Sequence, residues 1–283
     1  MQGKQVAVTG ATAGIGRSAS LELARRGAQL TLFCRNMQKA RDLQAEIVAA
    51  GGLEPSIIIM DMAELASVRQ AADEFLASGK PLDVLLNNAG VINTTRKETV
   101  DGFEETLAVN HFAPFLLTGK LLPLLQGAPS ARIVNVASDA HAFVRGMGFE
   151  NMQAEKGYRT FREYGRSKLA NILFTRSLGQ RLEGQGVSVN CLHPGAVATS
   201  LGTQNGGFIS SWLPRLLKPF FRSPEQAART SIYLCTSDEV SGISGAYFAN
   251  CKQVKPKPWA CDDDAAERLW DYTERAVDFR YAL

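Results

Sequence analysis

Along the whole chain, short runs of apolar residues alternate with longer stretches whose apolar positions recur at helical spacing. Gln5 to Val8 reads as a strand and Ile15 to Arg26 as a helix; Gln29 to Phe33 leads into helical Met37 to Ala50, and Ser56 to Met60 into Leu65 to Ser78. Strand Leu82 to Leu86, a helical stretch around Asn110 to Leu125 and strand Arg132 to Val136 come next. A long helix near Glu163 to Leu182, strand Ser188 to Leu192, helix Pro224 to Cys235, a last strand Ala246 to Phe248 and a terminal helix Ala265 to Val277 complete the pattern. This alternation is what a parallel sheet with crossover helices requires. The predicted fold class is therefore α/β, a doubly wound parallel sheet with helices on both faces. No repeat or linker divides the chain, so a single domain over residues 1–283 is expected, with 199–223 as a loop region and 262–283 as a helical tail.

Composition narrows the classes of function. Of 283 residues 45% are hydrophobic and 21% charged, values of a globular chain rather than a disordered or fibrous one. A net charge of +3 is far from the basic excess that a phosphate backbone demands, so no nucleic-acid partner is expected. The opening MQGKQVAVTG lacks a basic region followed by an apolar stretch, and no window offers about 18 uninterrupted apolar residues. A signal peptide and a membrane span are not expected. Five scattered cysteines without a CxxC pair suggest reduced thiols and a cytoplasmic setting. His111, His141 and His193 lie too far apart for a local metal motif, and no metal is expected.

The first candidate chemistry follows the first strand, in Thr9-Gly10-Ala11-Thr12-Ala13-Gly14-Ile15-Gly16. Glycines stand where the chain must turn tightly and let a pyrophosphate approach the backbone, at a helix start with free N–H donors. With a strand before and a helix after, Gly10, Thr12, Ala13, Gly14, Ile15 and Gly16 read as a dinucleotide site. Where such sites carry a carboxylate for an adenosine ribose hydroxyl, the second strand here ends Phe33-Cys34-Arg35-Asn36. Arg35 offers a charged fork suited to a 2′-phosphate, and Arg17 at the helix start is expected to lie across the same pocket. These residues predict NADP(H) rather than NAD(H).

Tyr164 and Lys168 are four apart in a helical stretch, so their polar ends share a face. A free tyrosine has a pKa near ~10; an adjacent ammonium and an oxidised nicotinamide would favour the phenolate and let Tyr164 exchange a proton near neutral pH. Strand Arg132 to Val136 delivers Ser138 at its carboxyl end, where it can donate to a substrate oxygen that gains negative charge. Strand Leu82 to Leu86 ends in Asn87-Asn88-Ala89-Gly90, whose small residues permit close approach to a cofactor, and Asp61 follows the third strand where an adenine could lie.

At this point the sequence resembles the short-chain dehydrogenase/reductase family over nearly its whole length. Thr9 to Gly16 is similar to the family's TGxxxGIG loop, Asn87 to Gly90 to its NNAG motif, Tyr164 to Lys168 to its YxxxK active site and Pro194-Gly195 to its PG turn. The resemblance implies a Rossmann-like fold and hydride transfer, with Asn110 as a fourth catalytic residue holding a water that links Lys168 to solvent. It also implies that Ser138 orients substrate, that Tyr164 acts as general acid/base and that Lys168 lowers its pKa. Asp61 and Met62 would contact adenine, Asn88, Ala89 and Gly90 the ribose, and Pro194, Gly195, Val197 and Thr199 the nicotinamide end. Tyr164 to Asn171, His193-Pro194-Gly195 and the long step from Ser138 to Tyr164 most resemble the retinol dehydrogenase and WW-domain oxidoreductase branch. No N-terminal hydrophobic anchor and no WW module are seen, so a retinoid substrate does not follow. The family often associates through the helix carrying its tyrosine, which implies a homodimer.

Trp212 to Phe221, after the PG turn, has three open readings: a lid over a hydrophobic substrate, a part of the core, or a peripheral membrane contact. A hydrolase is disfavoured because no G-x-S-x-G elbow occurs. The expected activity is an NADP(H)-dependent oxidoreductase acting on a carbonyl or alcohol of a hydrophobic small molecule. The competing reading is an NADP(H) sensor without physiological turnover.

Overall fold

The computed structural model describes residues 1–195 and 222–283. Its sheet runs β3-β2-β1-β4-β5-β6-β7-β8, with β1 Gln5–Thr9, β2 Gln29–Cys34, β3 Ser56–Ile59, β4 Val84–Asn87, β5 Ala131–Val136, β6 Val187–His193, β7 Tyr247–Ala249 and β8 Lys252–Gln253. Every pair is parallel except β7 with β8. Helices α1 Gly14–Arg25, α2 Met37–Ala49, α3 Leu65–Ala77, α4 Glu105–Leu107, α5 Ala113–Gln126, α6 Thr160–Arg181, α7 Pro224–Thr236 and α8 Asp263–Ala276 flank it. This is the predicted Rossmann-like α/β architecture.

Side chains alternate across a strand, and here both faces are apolar. Ala7, Phe33, Leu85 and Ile133 pack under α3, α5, α6 and α8, while Val8, Leu32, Leu86 and Val134 pack under α1, α2 and α7. Strand order reverses between β1 and β4, and ligands of open α/β sheets enter the crevice outside the carboxyl ends at such a point.

The structure departs from the sequence pattern in three places. The helix expected from Asn110 starts earlier, because the Glu104 carboxylate caps the N–H groups of Thr106 and Leu107. It then passes through a π-helical turn, Ala108–Phe112, before α5. Strand β8 was not anticipated; Asn250 and Cys251 between β7 and β8 both take positive φ, 52° and 59°, the conformation of a two-residue hairpin turn.

Helix α6 is buried from Gly165 to Thr175 without a break. The sheet covers one side, and α8 covers another with Leu269 and Trp270, helped by Arg176 to Asp263 (2.7 Å) and Ser177 to Glu267 (2.9 Å). Helix α6, which carries Tyr164, is thus covered in part by α8 of the same chain. Asp262 caps α8 by accepting from the Ala265 N–H, as a carboxylate at a helix start should. Among the described residues no helix is long and apolar enough to cross a membrane.

Candidate active site

The turn after β1 is shaped by Gly10 and Gly14, at φ 63° and 50°, where a side chain would be strained. A Cβ on Gly16 would stand 2.3 Å from the Gly10 carbonyl oxygen and 2.4 Å from Asn88 Nδ2. Only glycine lets α1 begin so close to the loop. The N-terminus of α1 has no side-chain cap and no acidic residue in its first turn, so its free N–H groups and partial positive charge are left for an anion. Thr9 Oγ1 accepts from the backbone of Asn88 and Ala89, both at 3.0 Å, and Asn88 Nδ2 donates to Thr9 O at 2.9 Å. These bonds bind the two loops flanking the crevice together.

A cleft of about 340 Å³ opens there. Gly10, Thr12, Ala13, Gly14, Ile15, Gly16, Arg35, Asn36, Asp61, Met62, Asn88, Ala89, Gly90, Tyr164, Lys168 and Pro194 all line it, as the sequence pattern anticipated. Arg17 does not: it forms an ion pair with Glu46 of α2, because α1 and α2 lie side by side and the guanidinium finds a carboxylate before it reaches the cleft. Lys39, unanticipated, lines the cleft instead. It stands in the first turn of α2, whose Asn36 cap directly follows Arg35. Arg35 is mostly exposed and 3.9 Å from Asp61. Gly195, at φ 86°, lies against Arg222 rather than in the cleft lining. Val197, Thr199 and the Trp212 to Phe221 segment lie outside the described residues.

At the inner end Lys168 is 3% exposed, and its Nζ donates to Val136 O at 2.9 Å. Burial pushes its ammonium down to about 8. The Tyr164 ring lies 5.6 Å from Nζ. Burial pushes the phenol upward and a hydrogen bond with Ser138 pulls it down, burial being the larger. The phenolate expected from the sequence calls for the ammonium and the oxidised nicotinamide together. Ser138 Oγ accepts from Ala140 N at 3.1 Å, which leaves its own hydrogen free to donate.

Asn110 sits in the π-helical turn, fully buried; such turns often occur at functional sites. Its Oδ1 accepts from Val91 N at 2.7 Å, and its Nδ2 donates to Val91 O at 3.0 Å and Ser167 Oγ at 2.9 Å. The side chain is therefore a clamp on the loop after β4. A Cβ on Gly90 would come within 3.2 Å of Asn110 Oδ1 and 3.3 Å of Lys168 Nζ, so the glycine keeps the space before the ammonium open.

The model of the family described as short chain dehydrogenase matches residues 4–207. The chain belongs to the short-chain dehydrogenase family. Mouse retinol dehydrogenase 14 is 42% identical over 98% of this chain and 86% of its own length, and human retinol dehydrogenase 13 is 42% identical over 97% and 85%. A crystal structure from Mycobacterium paratuberculosis superposes with a TM-score of 0.81 at 29% identity, covering all of this chain and 96% of that one. A protein described as an NAD(P)-dependent gluconate 5-dehydrogenase, from Beutenbergia cavernae and solved with NADP, superposes with a TM-score of 0.68 at 29% identity over 88% and 95%. The chain is thus an oxidoreductase of the retinol dehydrogenase branch.

Proposed function

We propose that this dehydrogenase moves hydride between NADP(H) and the carbonyl or alcohol of a hydrophobic small molecule, with Tyr164, Ser138, Lys168 and Asn110 as its working set. The observation that carries this reading is the joining of Tyr164 and Lys168 to the glycine loop in one cleft. The residues fit a nicotinamide dinucleotide: α1 presents an uncapped N-terminus to a pyrophosphate, and Gly90 leaves room beside the Lys168 donors. At the far end Arg35 and Lys39 supply positive charge for a 2′-phosphate, and no carboxylate ends β2.

When bound, the nicotinamide supplies or accepts the hydride, and in its oxidised form adds positive charge near the phenol. In the reductive direction Ser138 donates a hydrogen bond to the substrate carbonyl oxygen while Tyr164 gives that oxygen its proton. The phenolate left behind is stabilised by the Lys168 ammonium. Lys168 donates to ribose hydroxyls with the N–H groups that Val136 leaves free, and Asn110 holds the Val91 loop and supports proton return to solvent. Apolar substrate is favoured by the ring pair Phe143 and Phe161, 65% and 66% exposed, with Phe161 one turn before Tyr164. Two relatives named as retinol dehydrogenases agree with that chemistry.

The test is turnover of an aldehyde and ketone panel with NADPH and with NADH. Tyr164→Phe is expected to abolish turnover while NADPH affinity stays nearly unchanged; a comparably active variant removes the proton-transfer role. Arg35→Asp is expected to shift kcat/KM toward NADH, and an unaltered ratio removes Arg35 from cofactor choice. Cofactor binding without turnover of any carbonyl would favour the sensor.

A further inference from the structure

His141 employs both ring nitrogens beside the site. Nδ1 lies 2.8 Å from Ser138 O, and the Lys257 backbone N–H points at Nε2 from 3.2 Å. A backbone N–H can only donate, so Nε2 carries the lone pair and Nδ1 the hydrogen. In that tautomer the imidazole donates to the Ser138 carbonyl, which the His141 backbone N–H reaches only at 3.3 Å. The ring and the backbone of His141 are each held by a further contact. The ring meets Tyr247 edge-on at 5.3 Å, and Trp259 Nε1 donates to His141 O at 3.0 Å. With 2% of its surface exposed, His141 has no freedom to turn. A segment more than a hundred residues downstream is in this way fastened to the turn that carries Ser138.

We propose that His141 is a positioning residue for Ser138, fixing the peptide after Ser138 through its Nδ1–H and thereby aiming the serine hydroxyl at the substrate oxygen. Ser138 is extended, at φ −163° and ψ 155°, and opens a 3-10 turn, Asp139–Phe143, whose backbone bond to the Ser138 carbonyl is the long one just described. Without the imidazole the peptide would tilt, and the hydroxyl with it. Misplacement of a reacting group by about 1 Å can cost on the order of 10²-fold in rate. The proposal rests on the oxidoreductase reading above and adds a residue to it.

The experiment compares His141→Asn, His141→Gln and His141→Phe with the unsubstituted protein, measuring kcat with NADPH and a turned-over aldehyde, NADPH Kd by cofactor fluorescence, and Tm. Asparagine places an amide nitrogen where Nδ1 stood and keeps the donor to Ser138; glutamine places its amide where Nε2 stood and keeps only the Lys257 contact. The expected result is a kcat loss of about 10-fold or more for Gln and Phe, substantial recovery for Asn, and NADPH Kd within about 2-fold throughout. Equal kcat in the Asn and Gln variants, or a kcat loss that tracks Tm or NADPH affinity, overturns the proposal, and this contrast stands even where Phe fails to fold. An unsubstituted protein that binds NADPH but reduces no carbonyl instead overturns the functional reading on which the proposal depends.

Discussion

Lys168 has an energetic cost that can be measured without substrate. Burial lowers its ammonium from 10.5 to about 8, equivalent to about 3 kcal/mol at about 1.4 kcal/mol per tenfold. The native state binds its proton less tightly than the unfolded chain does, so stability rises with pH between about 8 and 10.5 and is flat below. Lys168→Met removes the buried charge and keeps the stem, but deprives Val136 O of its 2.9 Å donor and leaves only Asn171 Nδ2 at 3.5 Å. That loss costs about 1 kcal/mol. The variant should therefore be about 2 kcal/mol more stable at pH 7, and about 1 kcal/mol less stable above the unfolded lysine's pKa. Urea unfolding of both proteins from pH 7 to 10.5, taken as a difference, cancels every other titrating group. A difference that does not change with pH would show that the ammonium is not penalised by burial. Turnover should be lost in the same variant, since the group that destabilises the fold is the one the phenolate needs.

Two further substitutions probe the frame around the site. Gly16→Ala forces a methyl to within 2.3 Å of the Gly10 carbonyl oxygen, and it should weaken NADPH binding at least about tenfold in a fluorescence titration; unchanged affinity would mean that the loop relaxes freely. Trp270→Ala, in a ring cluster with Phe115 at 5.0 Å and Tyr281 at 4.8 Å, should cost about 3–5 kcal/mol in chemical unfolding. A loss below about 1 kcal/mol would show that α8 is not part of the core.

Local pattern carried much of this structure. The strands and the glycine loop were legible because period and turn chemistry act over a few residues, as at Gln5–Thr9 and Gly14–Arg25. Tertiary choices were not. Arg17 has an ordinary helix-start position, and only the packing of α2 against α1 decides that Glu46 takes it. Cys251 in a left-handed conformation hid the β7–β8 turn, which an Asn-Gly pair would have announced. The π-helical turn at Asn110 has no sequence period of its own. Tyr164 and Lys168 were found by spacing, yet the direction of the phenol's shift depends on burial that spacing does not report. The bonding of His141 was not legible because its decisive neighbours, Lys257 and Trp259, lie far along the chain.

The covering of α6 by α8 also orders events during synthesis. A ribosome that has made the chain through β7 has already supplied every cleft-lining residue, but the neighbours of Trp270 and Leu269, Phe115 and Phe174 among them, still face water. Until α8 emerges, His111 also lacks Thr273, its 2.9 Å partner beside Asn110. A nascent chain halted there would display an apolar stripe of the kind that chaperones and proteases engage. Docking of α8 is thus the step that takes this stripe out of water.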